Sequence, residues 1–166
     1  MILLGFLFSP LAPAAAPAAP PPKPASQCRA GERVLYTCTF GKSVGSVCSG
    51  SGKLHYRYGP LSKPAIDIAS AADWSNVRRG GVVGGGSGWQ QHLRFTRDGH
   101  HYLVFWGVAG QYTQSPGKSW SGIHVSEGDK DLVTLNCKSN AWPSDDWEKL
   151  AYDVPENEDP QFDAWY

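Results

Sequence analysis

The sequence predicts an all-β fold, an antiparallel small barrel or sandwich of about eight strands with a short C-terminal helix. Turn signals recur about every ten residues between positions 33 and 137, a spacing typical of sandwiches and small barrels. Apolar and polar side chains alternate between these turns, whereas sustained 3.6-residue periodicity is absent from this region apart from one turn at 70–76. Nineteen glycines, seven tryptophans and seven tyrosines against one methionine fit strands and turns better than long helices.

A first hairpin is predicted over residues 33–48, with a two-residue turn at 41–42. In this register Cys48 faces Leu35, and Cys38 lies at a position of the opposite parity. Side chains of opposite parity point to opposite faces of a sheet. A disulfide between Cys38 and Cys48 is therefore excluded.

The chain has four cysteines, and an even number in an exported chain predicts two disulfides. Two pairings remain: Cys38–Cys137 with Cys28–Cys48, or Cys28–Cys38 with Cys48–Cys137. We favour the first because Cys137 ends the last predicted strand and can lie beside the first. A zinc site is not favoured, since no C-x-x-C spacing occurs.

The clearest hairpin covers residues 89–108 around Asp98-Gly99, since Asp-Gly between alternating apolar runs is the strongest short-range hairpin signal. The register pairs Phe95 with Tyr102, Leu93 with Val104 and Gln91 with Trp106, and it places these residues with Trp89 and Val108 on a core face. The opposite face carries polar side chains together with two apolar ones, Leu103 and Phe105. That second face is either covered by another element or forms an exposed apolar and basic patch.

Three further segments complete the predicted strands. Residues 54–58 and 65–69 are short strands separated by a Gly-Pro turn. Residues 119–137 form a third hairpin, whose predicted three-residue turn at 128–130 aligns Ile123 and Val125 with Leu135 and Val133. The glycine-dense residues 79–88 are interpreted as a loop or a strongly bent strand, because they lack the Lys-Ser/Thr and helix of a phosphate-binding loop.

The N-terminal residues resemble an export signal. An apolar run at 2–8 is followed by small residues and an A-x-A site, which predicts a signal peptide at 1–14, although no Lys or Arg precedes the run. The run is too short to span a bilayer. Residues 15–27 are a proline- and alanine-rich spacer, and Gln27 beside Cys28 disfavours a lipidated cysteine.

Charge is segregated along the chain. Residues 28–138, the predicted disulfide-bonded β domain, carry a net charge of +6, and residues 139–166, the acidic aromatic tail, carry −7. A helix is predicted at 145–152, where serine and acidic residues suit the first turn. The rest of the tail is either solvated or docked on the basic body, since its aromatic side chains are costly to leave in water.

Short motifs carry a resemblance to a family. Residues 36–38 (YTC), 47–48 (VC), 55–59 (HYRYG) and 135–137 (LNC) resemble a group of small, exported, uncharacterised bacterial proteins. This resemblance covers about residues 34–138 and implies a bacterial origin with a periplasmic or secreted location. It implies no known activity.

No catalytic motif stands out. The sequence lacks H-E-x-x-H and G-x-S-x-G, and the predicted register does not bring three histidines together, so we predict no metal site, no cofactor and no catalytic residues. Asp67 is interpreted as a solvated side chain because it alternates with two isoleucines. A net charge of zero disfavours binding to nucleic acid by bulk electrostatics.

Binding is the favoured function. The predicted binding residues are polar, aromatic or apolar side chains on the second face of the 89–108 hairpin and in the loop that follows it: His92, Arg94, His101, Leu103, Phe105, Tyr112 and Trp120. Trp89 and Trp106 are assigned to the core instead. The first hypothesis is a protein-binding, inhibitor- or immunity-like module of the bacterial envelope. A glycan- or peptidoglycan-binding module is the alternative, and a cell-envelope hydrolase is the third.

Overall fold

The computed structural model describes residues 25–138 and 153–166, which form nine strands in two antiparallel sheets packed as a sandwich. The first sheet contains, in spatial order, β1 (Arg33–Phe40), β2 (Ser43–Gly50), β3 (Lys53–Pro60) and β4 (Ile66–Ala69). The second sheet contains β5 (Val77–Val83), β6 (Trp89–Arg97), β7 (His100–Val108), β8 (Ser119–Glu127) and β9 (Lys130–Asn136).

Short 3-10 turns cover Gly85–Ser87 and Pro160–Phe162. Among the described residues, no helix has the length and apolar character to cross a bilayer. The helix predicted at 145–152 and the signal peptide predicted at 1–14 lie outside these residues.

The predicted hairpin registers are largely confirmed. Turn 41–42 pairs Phe40 with Ser43, and β6 pairs with β7 as the Asp-Gly turn predicts, with Leu93 opposite Val104 and Phe95 opposite Tyr102. Asp98 and Gly99 both have positive φ, as a type I′ turn requires.

Two details of register differ from the sequence prediction. Cys48 lies opposite Val34 rather than Leu35, because a bulge between Val34 and Tyr36 shifts the start of β1 by one residue. This shift lets both Leu35 and Tyr36 enter the core.

The turn between β8 and β9 is also shorter than predicted. Glu127 pairs with Lys130 across two turn residues, and a bulge then restores the predicted pairing of Val125 with Val133 and Ile123 with Leu135. The residue predicted as the third position of the turn is thus paired in β9, and the extra residue lies in the bulge of that strand.

The ninth strand is β5, which covers part of the glycine-dense segment predicted to be a loop or a strongly bent strand. Its central glycines pair with β6, Gly80 opposite His92 and Gly81 opposite Gln91. A Cβ at Gly80 would lie 2.7 Å from the His92 ring, so the glycine makes room for that side chain.

The core lies between the two inner faces, and both predicted disulfides are confirmed. Tyr56 of the first sheet stacks on Phe95 of the second at 5.7 Å between ring centroids, and Trp106 is buried in the same cluster. The disulfide pairs are Cys28–Cys48 and Cys38–Cys137. Two disulfides indicate folding in an oxidising compartment outside the cytoplasm.

Candidate functional site: a covered sheet face and an open aromatic end

The predicted binding residues fall into two places. Five of them lie on the outer face of the second sheet, the side that faces away from the first sheet: His92, Arg94, His101, Leu103 and Phe105. The other two, Tyr112 and Trp120, lie at the loop-bearing end of the sandwich. The first group is covered by the protein itself, whereas in the second group Tyr112 is exposed and Trp120 is half-buried.

Residues 153–166, called here the C-terminal segment, cover the outer face. The segment reaches the free edge of β5 first, where the Arg79 N–H donates to the Pro155 carbonyl at 2.9 Å and the Asn157 N–H donates to the Arg79 carbonyl at 2.6 Å. These bonds form a short parallel bridge between Arg79 and Glu156, whose side chains also form an ion pair at 2.7 Å. Val154 joins the core at this edge.

Phe162 anchors the middle of the C-terminal segment. Its ring lies 3.8 Å from the Arg94 guanidinium carbon, in a cation–π arrangement, and meets the His101 ring edge-on at 4.8 Å. Arg94 also donates to the Asn157 side chain at 2.8 Å. Arg94 and His101, both predicted binding residues, therefore bind the chain's own segment.

Gln90 anchors the end of the segment. This fully buried amide donates to the Ala164 carbonyl at 2.8 Å and accepts from the Tyr166 N–H at 3.1 Å and from the Trp120 indole at 2.9 Å. The Tyr166 ring lies over Phe105, with the ring centroids 5.7 Å apart.

Of the two alternatives for the second face of the 89–108 hairpin, covered or exposed, the structure shows the covered one. Leu103 and Phe105 are fully buried, so neither contacts an external ligand while the segment is in place. The described part of the acidic tail is docked rather than solvated.

His92 is the most confined polar side chain on this face. It is 1% exposed, and neither ring nitrogen has a hydrogen-bond partner. Burial, together with the nearby Arg94 charge, lowers the pKa of His92 to about 4. The neutral imidazole therefore persists in the folded protein at pH values where an exposed histidine would be protonated.

Acidification is expected to destabilise the protein through His92. In the unfolded chain His92 has an ordinary pKa near 6.5, whereas in the folded protein its pKa is about 4. Between these two pH values the unfolded state binds the proton and the folded state does not, so the free energy of unfolding falls as the pH drops. The loss reaches roughly 3 kcal/mol at pH 4. Thermal unfolding between pH 7 and pH 4 measures it, and His92→Gln should flatten the pH dependence whereas His100→Gln should not. An unchanged slope in His92→Gln would contradict the assignment.

The open aromatic end is built on two loops that pack backbone to backbone. Residues 84–88 meet residues 109–118 so closely that a Cβ at Gly110 would lie 2.1 Å from the Gly85 carbonyl oxygen. The Gln111 N–H donates to the Gly86 carbonyl at 2.7 Å, which fixes the loops to each other. The glycines are required because their missing side chains permit this approach.

Two tryptophan side chains, Trp120 and Trp165, line a groove of about 430 Å³ at this end, and Tyr112 lies beside it against Gly86. Tyr112 is 86% exposed and lies against Gly86, Trp165 is 50% exposed and lies against Gly84, and Trp120 packs against Trp165 at 5.9 Å. We call Tyr112, Trp120, Trp165 and the two glycine-containing loops the aromatic end. Tyr112 and Trp120 are among the predicted binding residues. Trp165 is not, because it reaches the groove only through the folding back of the C-terminal segment.

Asp67, predicted to be solvated, is instead part of a buried ion cluster on the first sheet, a correction to the sequence analysis. Its carboxylate lies 3.0 Å from Nε of Arg57, a guanidinium with no solvent exposure, and Glu32 binds the same guanidinium at 2.5 and 2.9 Å. Alternation along β4 could not reveal a buried cation on β3. The cluster places two carboxylates around the buried Arg57 guanidinium.

Two other groupings have the residue types of chemical sites. His124 lies 2.8 Å from the Thr134 hydroxyl and 3.0 Å from an Asp131 oxygen, in a cleft beside Tyr166. Nucleophilic catalysis by such a hydroxyl, imidazole and carboxylate also uses N–H donors that converge on the developing oxyanion. The contacts that the structure describes include no such donors beside these three side chains. In residues 25–138 and 153–166, the one cluster with metal-ligand side chains is Cys28, Glu32 and Cys48, and its sulfurs are joined in a disulfide.

Comparisons of this chain with protein-family models, with curated proteins and with solved structures find no match.

Proposed function

We propose that this chain is an exported, non-catalytic module that binds a protein partner through the aromatic end. The observation that carries the proposal is the exposure of Tyr112 and Trp165 beside a preformed groove. Large exposed aromatic side chains concentrate binding free energy at protein interfaces. An inhibitor- or immunity-like role in the periplasm or outside the cell fits the size, the disulfides and the predicted signal peptide.

The composition of the two loops supports a protein partner. They combine glycine, serine, glutamine and threonine with tyrosine, the mixture that antibody binding loops use to present rigid aromatic anchors among adaptable polar groups. They are also mounted at one end of a β-sandwich, a rigid support that positions loops for recognition. Backbone contact between the loops reduces the ordering cost of binding.

The groove itself fits an apolar side chain of the partner. Its lining is made of glycine, alanine, valine and threonine with the Trp120 and Trp165 rings, and no charged residue lines it. A partner that inserts an aliphatic or aromatic side chain would bury apolar surface without desolvating a charge.

Tyr112→Ala is expected to weaken partner binding at least tenfold and to leave the free energy of unfolding within about 0.5 kcal/mol of the wild type, because Tyr112 is almost fully exposed. The measurement is affinity purification from envelope extract, followed by titration of the recovered protein against both variants. Leu61→Ala, at an exposed apolar side chain in a different loop, is the matched control. Equal affinity of the wild type and Tyr112→Ala for that protein would overturn the proposal.

A glycan ligand is the second candidate, because exposed tyrosine and tryptophan rings also stack on sugar faces. Retention on peptidoglycan that Tyr112→Ala abolishes and Tyr112→Phe preserves would favour this candidate. If the extract yields no protein partner, such retention would make a glycan the proposed ligand of the aromatic end.

A further inference from the structure

We propose that the outer face of the second sheet is a peptide-binding surface, and that two copies of this chain associate by each laying its C-terminal segment, residues 153–166, on the outer face of the other. The proposal concerns a different surface from the aromatic end. It follows from how the segment is held, how it is connected and how it is charged.

The segment is held as a bound peptide would be. At the edge of β5 it adds to the sheet through the two backbone hydrogen bonds with Arg79, as in recognition by strand addition. Beyond this edge, side chains of the sheet bind it at separate points: Arg94 at Phe162 and Gln90 at the backbone of Ala164 and Tyr166. Pockets for alternate side chains and fixed backbone partners are what make such a surface selective.

The buried side chains beneath the segment form a receptor that is specific for it. Leu103 and Phe105 supply an apolar floor, and Gln90 offers both a donor and an acceptor, each used by the segment. An unrelated covering would leave the Nε2 donor of Gln90 unsatisfied, at a cost of about 1–3 kcal/mol, although its oxygen would keep the Trp120 indole as a partner. The occupant with demonstrated fit is thus the sequence of residues 153–166 itself.

The chain length permits the exchange. Fourteen residues lie between Lys138, the last described residue of the body, and Asp153. Fifteen virtual bonds span at most about 50 Å. A domain of this size has a radius of gyration near 14 Å, so such a connection reaches a neighbouring body as well as its own.

Charge complementarity between segment and body is the same whichever copy supplies the body. Residues 153–166 carry five acidic side chains and no lysine or arginine, and residues 28–138 carry a net charge of +6. The segment of one copy is therefore attracted to the body of another. In dilute solution each face binds the segment of its own chain, because the tether gives that segment a high effective concentration. Exchange between copies becomes favourable as the protein concentration approaches this effective concentration.

The test is complementation between two full-chain variants. One carries Gln90→Ala with Arg94→Ala, which damages the outer face and leaves the segment intact. The other carries Phe162→Ala with Tyr166→Ala, which weakens the segment and leaves the face intact. Each alone should sediment as a monomer, and the mixture should form a one-to-one heterodimer with twice the mass. Pairing either variant with Leu61→Ala in place of its complement controls for general association.

A mixture that stays monomeric, with both variants folded by near-ultraviolet circular dichroism, would overturn the proposal. If a variant fails to fold, energy transfer between wild-type chains labelled in the body and chains labelled at residue 158 decides instead. The transfer should rise with total concentration and fall on addition of excess unlabelled peptide 153–166. Transfer that is absent at millimolar concentration would equally reject the exchange.

Discussion

Replacing Cys38 and Cys137 together by alanine is expected to lower the free energy of unfolding by about 4–5 kcal/mol. The bond joins β1 in the first sheet to the residue after β9 in the second, across a sequence separation of 99 residues. In the chain-entropy model the stabilisation grows with the length of the closed loop, because a longer loop loses more freedom in the unfolded state. Chemical denaturation of the oxidised variant and wild type, at equal protein concentration, measures the difference.

The second disulfide supplies the matched control. Cys28–Cys48 closes a separation of 20 residues, so Cys28→Ala with Cys48→Ala should cost only about 3 kcal/mol. Both bonds have buried or half-buried cysteines, which makes the side-chain cost of the two replacements comparable. The order of the two losses is the critical result: a larger loss for the Cys28–Cys48 variant would show that loop length does not govern their contributions.

Glu32→Gln is expected to destabilise the protein by about 3 kcal/mol at pH 7. Arg57 is completely buried and is neutralised by Glu32 and Asp67, so removing one carboxylate leaves the guanidinium only partly compensated. The hydrogen bonds and charge of Arg57 lower the pKa of Glu32 to about 2. The sign of the pH effect follows: the stabilisation is complete above the ordinary glutamate pKa of 4.5 and is lost as pH falls towards 2.

The measurement is urea denaturation of wild type and Glu32→Gln at pH 7 and again near pH 3. The difference between them should shrink at the lower pH, because the wild-type carboxylate is then being protonated in the unfolded state. Asp98→Asn, at an exposed carboxylate 3.8 Å from Arg97, is the control and should change stability by less than about 0.5 kcal/mol. A loss below 1 kcal/mol for Glu32→Gln at pH 7 would contradict the role assigned to the cluster.

Local chemistry made most of the fold predictable. The Asp98-Gly99 turn and the Gly41-Lys42 turn set their registers by sequence alone, because two-residue hairpin turns admit few backbone conformations. The sequence did not decide between a loop and a bent strand for most of β5, since its glycines weaken every strand signal, and the structure pairs it with β6. The bulge in β1 was not predicted because it accompanies the burial of both Leu35 and Tyr36 in the core between the sheets, and the bulge in β9 has no signal in the sequence.

The candidate sites were predictable only in part. Alternation along β7 indicated that Leu103 and Phe105 are either covered or part of an exposed patch, and the choice between the two depends on contacts between residues more than 50 positions apart. Tyr112 was identifiable from its turn-rich loop. Trp165 was not, because its position depends on Gln90 and Trp120 holding the C-terminal segment.

The chain order of the strands bears on how the protein is assembled during folding. Every ladder in both sheets joins strands that are consecutive in sequence, so each sheet is a meander that forms from local hairpins. Contacts of this kind close quickly, whereas the docking of one meander on the other must bring distant residues together. The Cys28–Cys48 bond ties the segment before β1 to β2 of the first meander, and the Cys38–Cys137 bond joins β1 to the residue after β9 of the second meander. In oxidative refolding the Cys28–Cys48 bond should therefore form first. The Cys38–Cys137 bond should form later, when the two sheets dock on each other.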